Sequence, residues 1–272
     1  MNKVFYPDLK IIPFEKIKLQ EYFHKLRAKA LANKIKKQGI LRNPPIITQF
    51  NGGFLHLDGA TRISAIQLLG YNKCLAQIVD YGDRSQVQLT SWSHIVKVNK
   101  NEFLKQVENI DKIEIKKRDT FSQRMLLKPS IICLIVFLDG DVFEVCRKGL
   151  LVSQVRALNT IVSLYEKHEI TRVFSASSWN LGSVKRRFEL HPHHNFFITF
   201  PTFSPQQILK LVDQDIFLPT GVSRHVVFRR KLNVNLPLSY LKYPVKRANE
   251  ALQKFLQPRP VRLYEEPVIY FE

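Results

Sequence analysis

A chain of 272 residues, 45% of them hydrophobic and 24% charged, can bury one large core or two modest ones. Its 42 lysines and arginines against 23 acidic residues leave a net charge of +19, which points to an anionic partner: a nucleotide, an acidic substrate or a nucleic acid. Cys74, Cys133 and Cys146 are too scattered for a disulfide framework or a zinc site, residues 1–5 lack the apolar core of a signal peptide, and no apolar run reaches membrane-spanning length. A soluble, cytoplasmic protein with no membrane partner is the expectation.

In chain order, residues 9–13 suggest a first strand, and residues 26–38 alternate apolar and basic side chains at helical spacing until Gly39. Pro44-Pro45 introduces a strand over 46–49, and Asn51-Gly52-Gly53 turns the chain into a second strand over 54–57. The stretch Asp58-Gly59-Ala60-Thr61-Arg62 follows, then a helix marked by Ile63, Ile66 and Leu69, and a strand over 73–80. Such short strands and helices around a small sheet make residues 1–98 an α+β domain. From residue 99 the pattern changes and a second domain, 99–272, is predicted as α/β. Residues 101–117 read as a polar helix, 131–138 and 142–147 as a hairpin, 152–167 as an amphipathic helix, 172–176 and 196–200 as strands, and 205–213 as a helix. A loop block, Phe217 to His225, then precedes a strand over 226–229.

Strand, Asp58, Gly59 and helix together form a possible phosphate loop: the helix start offers free N–H groups and a positive dipole end, and Arg62 can grip phosphate oxygens. An ordinary turn and helix start accounts for the same string. Three imidazoles in His191-Pro192-His193-His194 suit a metal or haem, or simply a polar loop. Lysines 34, 36 and 37 lie on one helix, while Lys116-Lys117-Arg118, Lys185-Arg186-Arg187 and Arg229-Arg230-Lys231 fall elsewhere, so no compact recognition helix stands out.

Residues 13–80 in this order resemble the ParB/sulfiredoxin-like fold, and the chain as a whole resembles the free L-serine kinases, most closely their siderophore-pathway branch. Four collinear blocks carry the similarity: residues 12–21, residues 57–70, Ser91-Trp92-Ser93-His94, and residues 218–225 continuing through Leu236-Pro237-Leu238. The resemblance implies that Glu21 takes the proton from the serine hydroxyl and that Asp58 acts beside the transferring phosphate and its Mg²⁺. It further implies that Gly59, Ala60, Thr61 and Arg62 cradle the phosphates, and that Trp92, Ser223, Arg224 and His225 hold the amino acid with Glu21. The family usually carries His before the loop Arg; this chain has Thr61.

Phosphoryl transfer needs alignment, charge neutralisation and a group that orients the attacking hydroxyl, and these residue types supply all three. The expected activity is transfer from ATP or ADP to the hydroxyl of free L-serine, giving O-phospho-L-serine, in a cleft between the two domains. Two alternatives are a ParB-like DNA-binding transcriptional regulator, suggested by the basic charge, and a small-ligand sensor using His191, His193 and His194.

Overall fold

The computed structural model describes residues 8–21, 25–175 and 178–263. Its elements run β1 (Leu9–Pro13), β2 (Ile17–Lys18), α1 (Lys25–Gln38), β3 (Ile40–Leu41), β4 (Ile46–Phe50), β5 (Gly53–Asp58), α2 (Ala60–Leu68) and β6 (Lys73–Ile78). There follow β7 (Val87–Ser91), β8 (Ser93–Val96), α3 (Lys100–Glu108), β9 (Glu114–Arg118), β10 (Ile131–Phe137), β11 (Val142–Cys146), α4 (Leu151–Ser163), β12 (Thr171–Val173) and α5 (Leu181–Leu190). The chain closes with β13 (Phe196–Thr199), α6 (Pro205–Asp213), β14 (Ser223–Val227), β15 (Leu236–Pro237) and α7 (Val245–Leu256). Among the described residues no helix is long and apolar enough to cross a membrane.

The chain divides into two units, Met1–Gln88 with His225–Glu272, and Leu89–Arg224. The expected division at residue 98 is therefore corrected at two points. First, β8 belongs to the second unit, because its backbone pairs with β12 and β13 there. Second, the chain after residue 224 returns to the first unit. Leu236 pairs with Leu41, Asn249 on α7 bonds both the N–H and the carbonyl of Ile11, and Leu236, Ala248 and Leu252 lie in one buried cluster with Ile11, Ile35 and Ile66.

In the first unit the sheet order is β1-β6-β4-β5-β2, with β4/β6 and β2/β5 parallel and the other pairs antiparallel. One sheet face packs on Ala32, Ile35, Ile63 and Ile66 of the two helices; Ile12, Ile47 and Ala76 form a smaller cluster apart from it. Strand β5 ends at Asp58 because Gly59 takes a left-handed φ of 99° and α2 begins at the next residue.

In the second unit six strands run β12-β8-β13-β10-β11-β9, and every pair is antiparallel, so this unit is α+β like the first rather than α/β. Its core gathers Ile95, Leu134, Val136, Trp179 and Phe197. The polar helix expected over 101–117 stops at Glu108: Glu114 to Arg118 instead forms the sheet edge against β11, with charged, exposed side chains of the kind that protect an edge. The expected strand over 172–176 is realised as β12, and its end at Ala176 lies outside the described residues.

Candidate functional site

Strand register relates the segment that leads to Glu21 to the segment that leads to Asp58. Strands β2 and β5 are parallel, with Ile17 beside Phe54 and Lys18 beside Leu55. Beyond the end of β2, the Gln20 side-chain amide donates to the Leu57 carbonyl at 3.0 Å. Glu21 and Asp58, which follow Gln20 and Leu57 in the chain, are both half-buried. The parallel pairing requires Gly53, where a Cβ would sit 2.8 Å from the Lys16 carbonyl oxygen.

Asp58 is gripped by two guanidinium groups. Arg62 Nη2 donates to Asp58 Oδ2 at 2.6 Å and Arg230 Nη2 donates to the same oxygen at 2.7 Å; Oδ1 takes neither bond. Burial pushes this carboxyl up, but Arg62, then Arg230, with His56, outweigh it and hold the pKa at about 2, so the group is a carboxylate at neutral pH. Arg62 is itself fixed by bonds from Nη1 to the carbonyls of Asn43 and Pro44, at 3.4 and 3.0 Å. Gly59 lies beneath it: a Cβ there would meet Arg62 Nε, Arg62 Nη2 and Pro45 Cβ, each at 2.9 Å. No side chain caps α2, whose first residues are Ala60, buried, and Thr61, half-buried. A helix start without a cap and a fixed arginine beside it form an arrangement suited to an anion.

Two residues before Asp58 on β5, His56 is fully buried, and neither ring nitrogen has a hydrogen-bond partner among the described residues. Burial pushes its pKa down to about 4, against the opposing pull of Asp58. His225 meets the Tyr81 hydroxyl at 2.8 Å through Nε2, and burial, with His56 nearby, lowers its pKa to about 3. Both imidazoles are neutral at pH 7, and the His225 tautomer sets which group donates in the bond to Tyr81. Of the predicted site residues, the first unit thus contains Glu21, Asp58, Gly59, Ala60, Thr61, Arg62 and His225. His56, Tyr81 and Arg230 are additional. Only Arg230 had been visible, as one charge in a basic run, and its partner stands 172 residues away in sequence.

The second unit contains Trp92, Ser223 and Arg224. Adjacent residues on a strand face opposite ways, which separates Arg224 from its neighbours Ser223 and His225 on β14. The Arg224 guanidinium lies 4.9 Å from the centroid of the Trp92 ring and 4.0 Å from that of Phe174. Trp92 N–H donates to the Val222 carbonyl, and Thr90 Oγ1 donates to the Arg224 carbonyl. His94 pins this block from below. Its Nε2 lies 2.7 Å from the Gly221 carbonyl, which can only accept, so Nε2 carries the proton and Nδ1 accepts from the Tyr165 hydroxyl at 2.8 Å. Burial lowers the His94 pKa to about 4, which keeps it neutral. Such an arginine, stacked on two rings, suits a small carboxylate.

Among the described residues no group of three or more His, Cys, Asp or Glu side chains is arranged to hold a metal ion; His191 and His194 stand ring-edge to ring-face at 5.9 Å without a third ligand. The His191-Pro192-His193-His194 run is thus not a metal centre by itself. A Mg²⁺ bound with a nucleotide needs less, one carboxylate plus phosphate oxygens and water, and ionised Asp58 with Oδ1 outside the guanidinium bonds fits that donor set.

A two-unit α+β chain with an Asp-Gly loop opening a helix shares the fold of the free serine kinases. The chain matches the C-terminally truncated SbnI structure from Staphylococcus aureus with a TM-score of 0.72 over 93% of this chain and 97% of that one, at 19% identity. It matches a free serine kinase in complex with AMP with a TM-score of 0.68 over 86% of this chain and 93% of that one, at 18% identity. In sequence it is 29% identical over 97 residues to the ATP-dependent L-serine kinase SbnI of S. aureus, and 34% identical over 84 residues to the ATP-dependent L-serine kinase of Staphylothermus marinus. These stretches cover 35% and 30% of this chain, and they span only 37% and 33% of the length of those curated relatives. No family model matches the chain.

Proposed function

We propose that the protein is a free L-serine kinase, transferring the terminal phosphoryl group of ATP to the serine hydroxyl to give O-phospho-L-serine. The observation that carries this reading is the Asp58 loop: an ionised carboxylate between two guanidinium groups, at the uncapped start of a helix, in a chain with the serine-kinase fold. In this reading Arg62 and the α2 start bind phosphates, and Glu21 orients the hydroxyl and accepts its proton. Arg224 pairs with the substrate carboxylate, with Trp92 as its platform. Mg²⁺, held by Asp58, would neutralise charge on the transferring phosphates. The names of the curated relatives favour ATP over ADP as donor, and those relatives give the DNA-binding alternative no support over the kinase.

The test is direct. Purified protein with L-serine, Mg²⁺ and ATP is expected to yield O-phosphoserine by mass spectrometry. Glu21→Ala is expected to lower turnover by about two orders of magnitude or more while leaving ATP affinity within a few-fold, as for loss of a group that acts on the hydroxyl alone. Absence of phosphoserine with both ATP and ADP refutes the kinase.

A further inference from the structure

We infer that Asp58 stands in for a phosphate group between Arg62 and Arg230 when no nucleotide is bound, and that an incoming polyphosphate displaces it, with Arg230 as a second phosphate ligand supplied by the returning C-terminal segment. The inference rests on the reading of this loop as a phosphate site. It extends that reading by a residue outside the loop motif and by an exchange of partners.

Three features carry it. Both guanidinium groups converge on a single oxygen, Asp58 Oδ2, at 2.6 and 2.7 Å. That is an end-on arrangement in which neither arginine uses its two-pronged geometry, whereas a phosphate offers enough oxygens for both forks. The charges within this bonded group also fail to cancel: two guanidinium cations bond one carboxylate. An anion added at this point completes the balance.

The Arg62 guanidinium and the backbone that carries Arg230 are also held by groups that ask nothing of Asp58. Arg62 is anchored on the Asn43 and Pro44 carbonyls. The backbone on either side of Arg230 is held by one buried side chain: Gln77 donates through Nε2 to the Arg229 carbonyl at 3.3 Å and accepts through Oε1 from Lys231 N–H at 2.9 Å. Arg229 adopts a left-handed φ of 52° within this turn, and Lys231 pairs with Asp8. A surface arginine paired by chance has no such scaffold. With the Arg62 guanidinium and the backbone around Arg230 held independently, Asp58 can leave without the clamp collapsing.

Inorganic tripolyphosphate titrated calorimetrically in EDTA tests the exchange without metal, serine or turnover. Arg230→Gln is expected to weaken binding about tenfold or more, the scale of one charge-assisted contact. Asp58→Asn is expected to tighten it about threefold or more, because the competing carboxylate is gone while an amide oxygen remains for the arginines. Thermal unfolding by circular dichroism checks each variant. Should Arg230→Gln not fold, Arg230→Lys replaces it, and an intermediate weakening of about threefold is expected. Unchanged affinity in the Arg230 variant, or weaker metal-free binding in Asp58→Asn, overturns the inference. Neither result depends on whether serine is the acceptor. A protein that makes no phosphoserine yet shows both effects keeps the clamp and loses only the kinase; one that makes phosphoserine with neither effect does the reverse.

Discussion

Replacing His94 by phenylalanine keeps a ring of similar shape at a fully buried position and removes both of its hydrogen bonds. The Gly221 carbonyl and the Tyr165 hydroxyl then lose their partner, and a buried polar group left unsatisfied costs about 1–3 kcal/mol, so the second unit should lose about 2–5 kcal/mol. Both tryptophans of the chain, Trp92 and Trp179, lie in that unit, so fluorescence in a urea titration follows it selectively. The pH dependence sharpens the test. The folded pKa of about 4 lies below the ordinary 6.5, so the unfolded chain binds more protons and stability falls as pH drops from about 6.5 towards 4. Between about pH 7 and about pH 5 the wild type should lose about 2 kcal/mol through His94 alone, a loss that His94→Phe cannot show. Destabilisation under about 1 kcal/mol, or an identical pH slope in both proteins, would refute the account of His94 as the neutral pin beneath Gly221.

Gly59→Ala sets a side chain at φ 99° and within 2.9 Å of Arg62 and Pro45. Strain of about 1–3 kcal/mol and a shifted Arg62 should weaken ATP binding about tenfold or more, read by calorimetry. For Arg224→Lys a point charge replaces a fork stacked on Trp92 and Phe174, so KM for serine should rise about tenfold with a smaller change in kcat; a fall in kcat at constant KM would contradict a carboxylate-binding role.

The Asp58 loop is legible in the sequence because its signals are local: an apolar strand, a glycine where the backbone turns left-handed, and the apolar period of Ile63 and Ile66. Arg230 is not, because its meaning comes from Asp58 and Gln77, both distant in sequence. Helix α7 does leave a trace in Ala248, Leu252 and Leu256, one turn apart, yet nothing local says that this face returns to the first sheet. Strands β7 and β8 are short and rich in Ser and Thr, and they meet across Trp92 without a glycine or proline to mark the break. The charged strand β9 looks helical because lysines and glutamate serve an exposed helix and a protected sheet edge equally well.

The first unit is interrupted: the chain leaves it at Gln88 and rejoins it at His225. During synthesis, at about 5–20 residues per second, the Asp58 loop therefore emerges well before Arg230, His225 and the α7 segment that caps β1. Until the whole second unit has been made, Asp58 has Arg62 without Arg230, and the sheet lacks Asn249 on Ile11. A chain cut short within the second unit would carry every residue of the loop motif and still lack the second half of the clamp. The two-arginine grip on Asp58 is in that sense a record that the second unit has been translated.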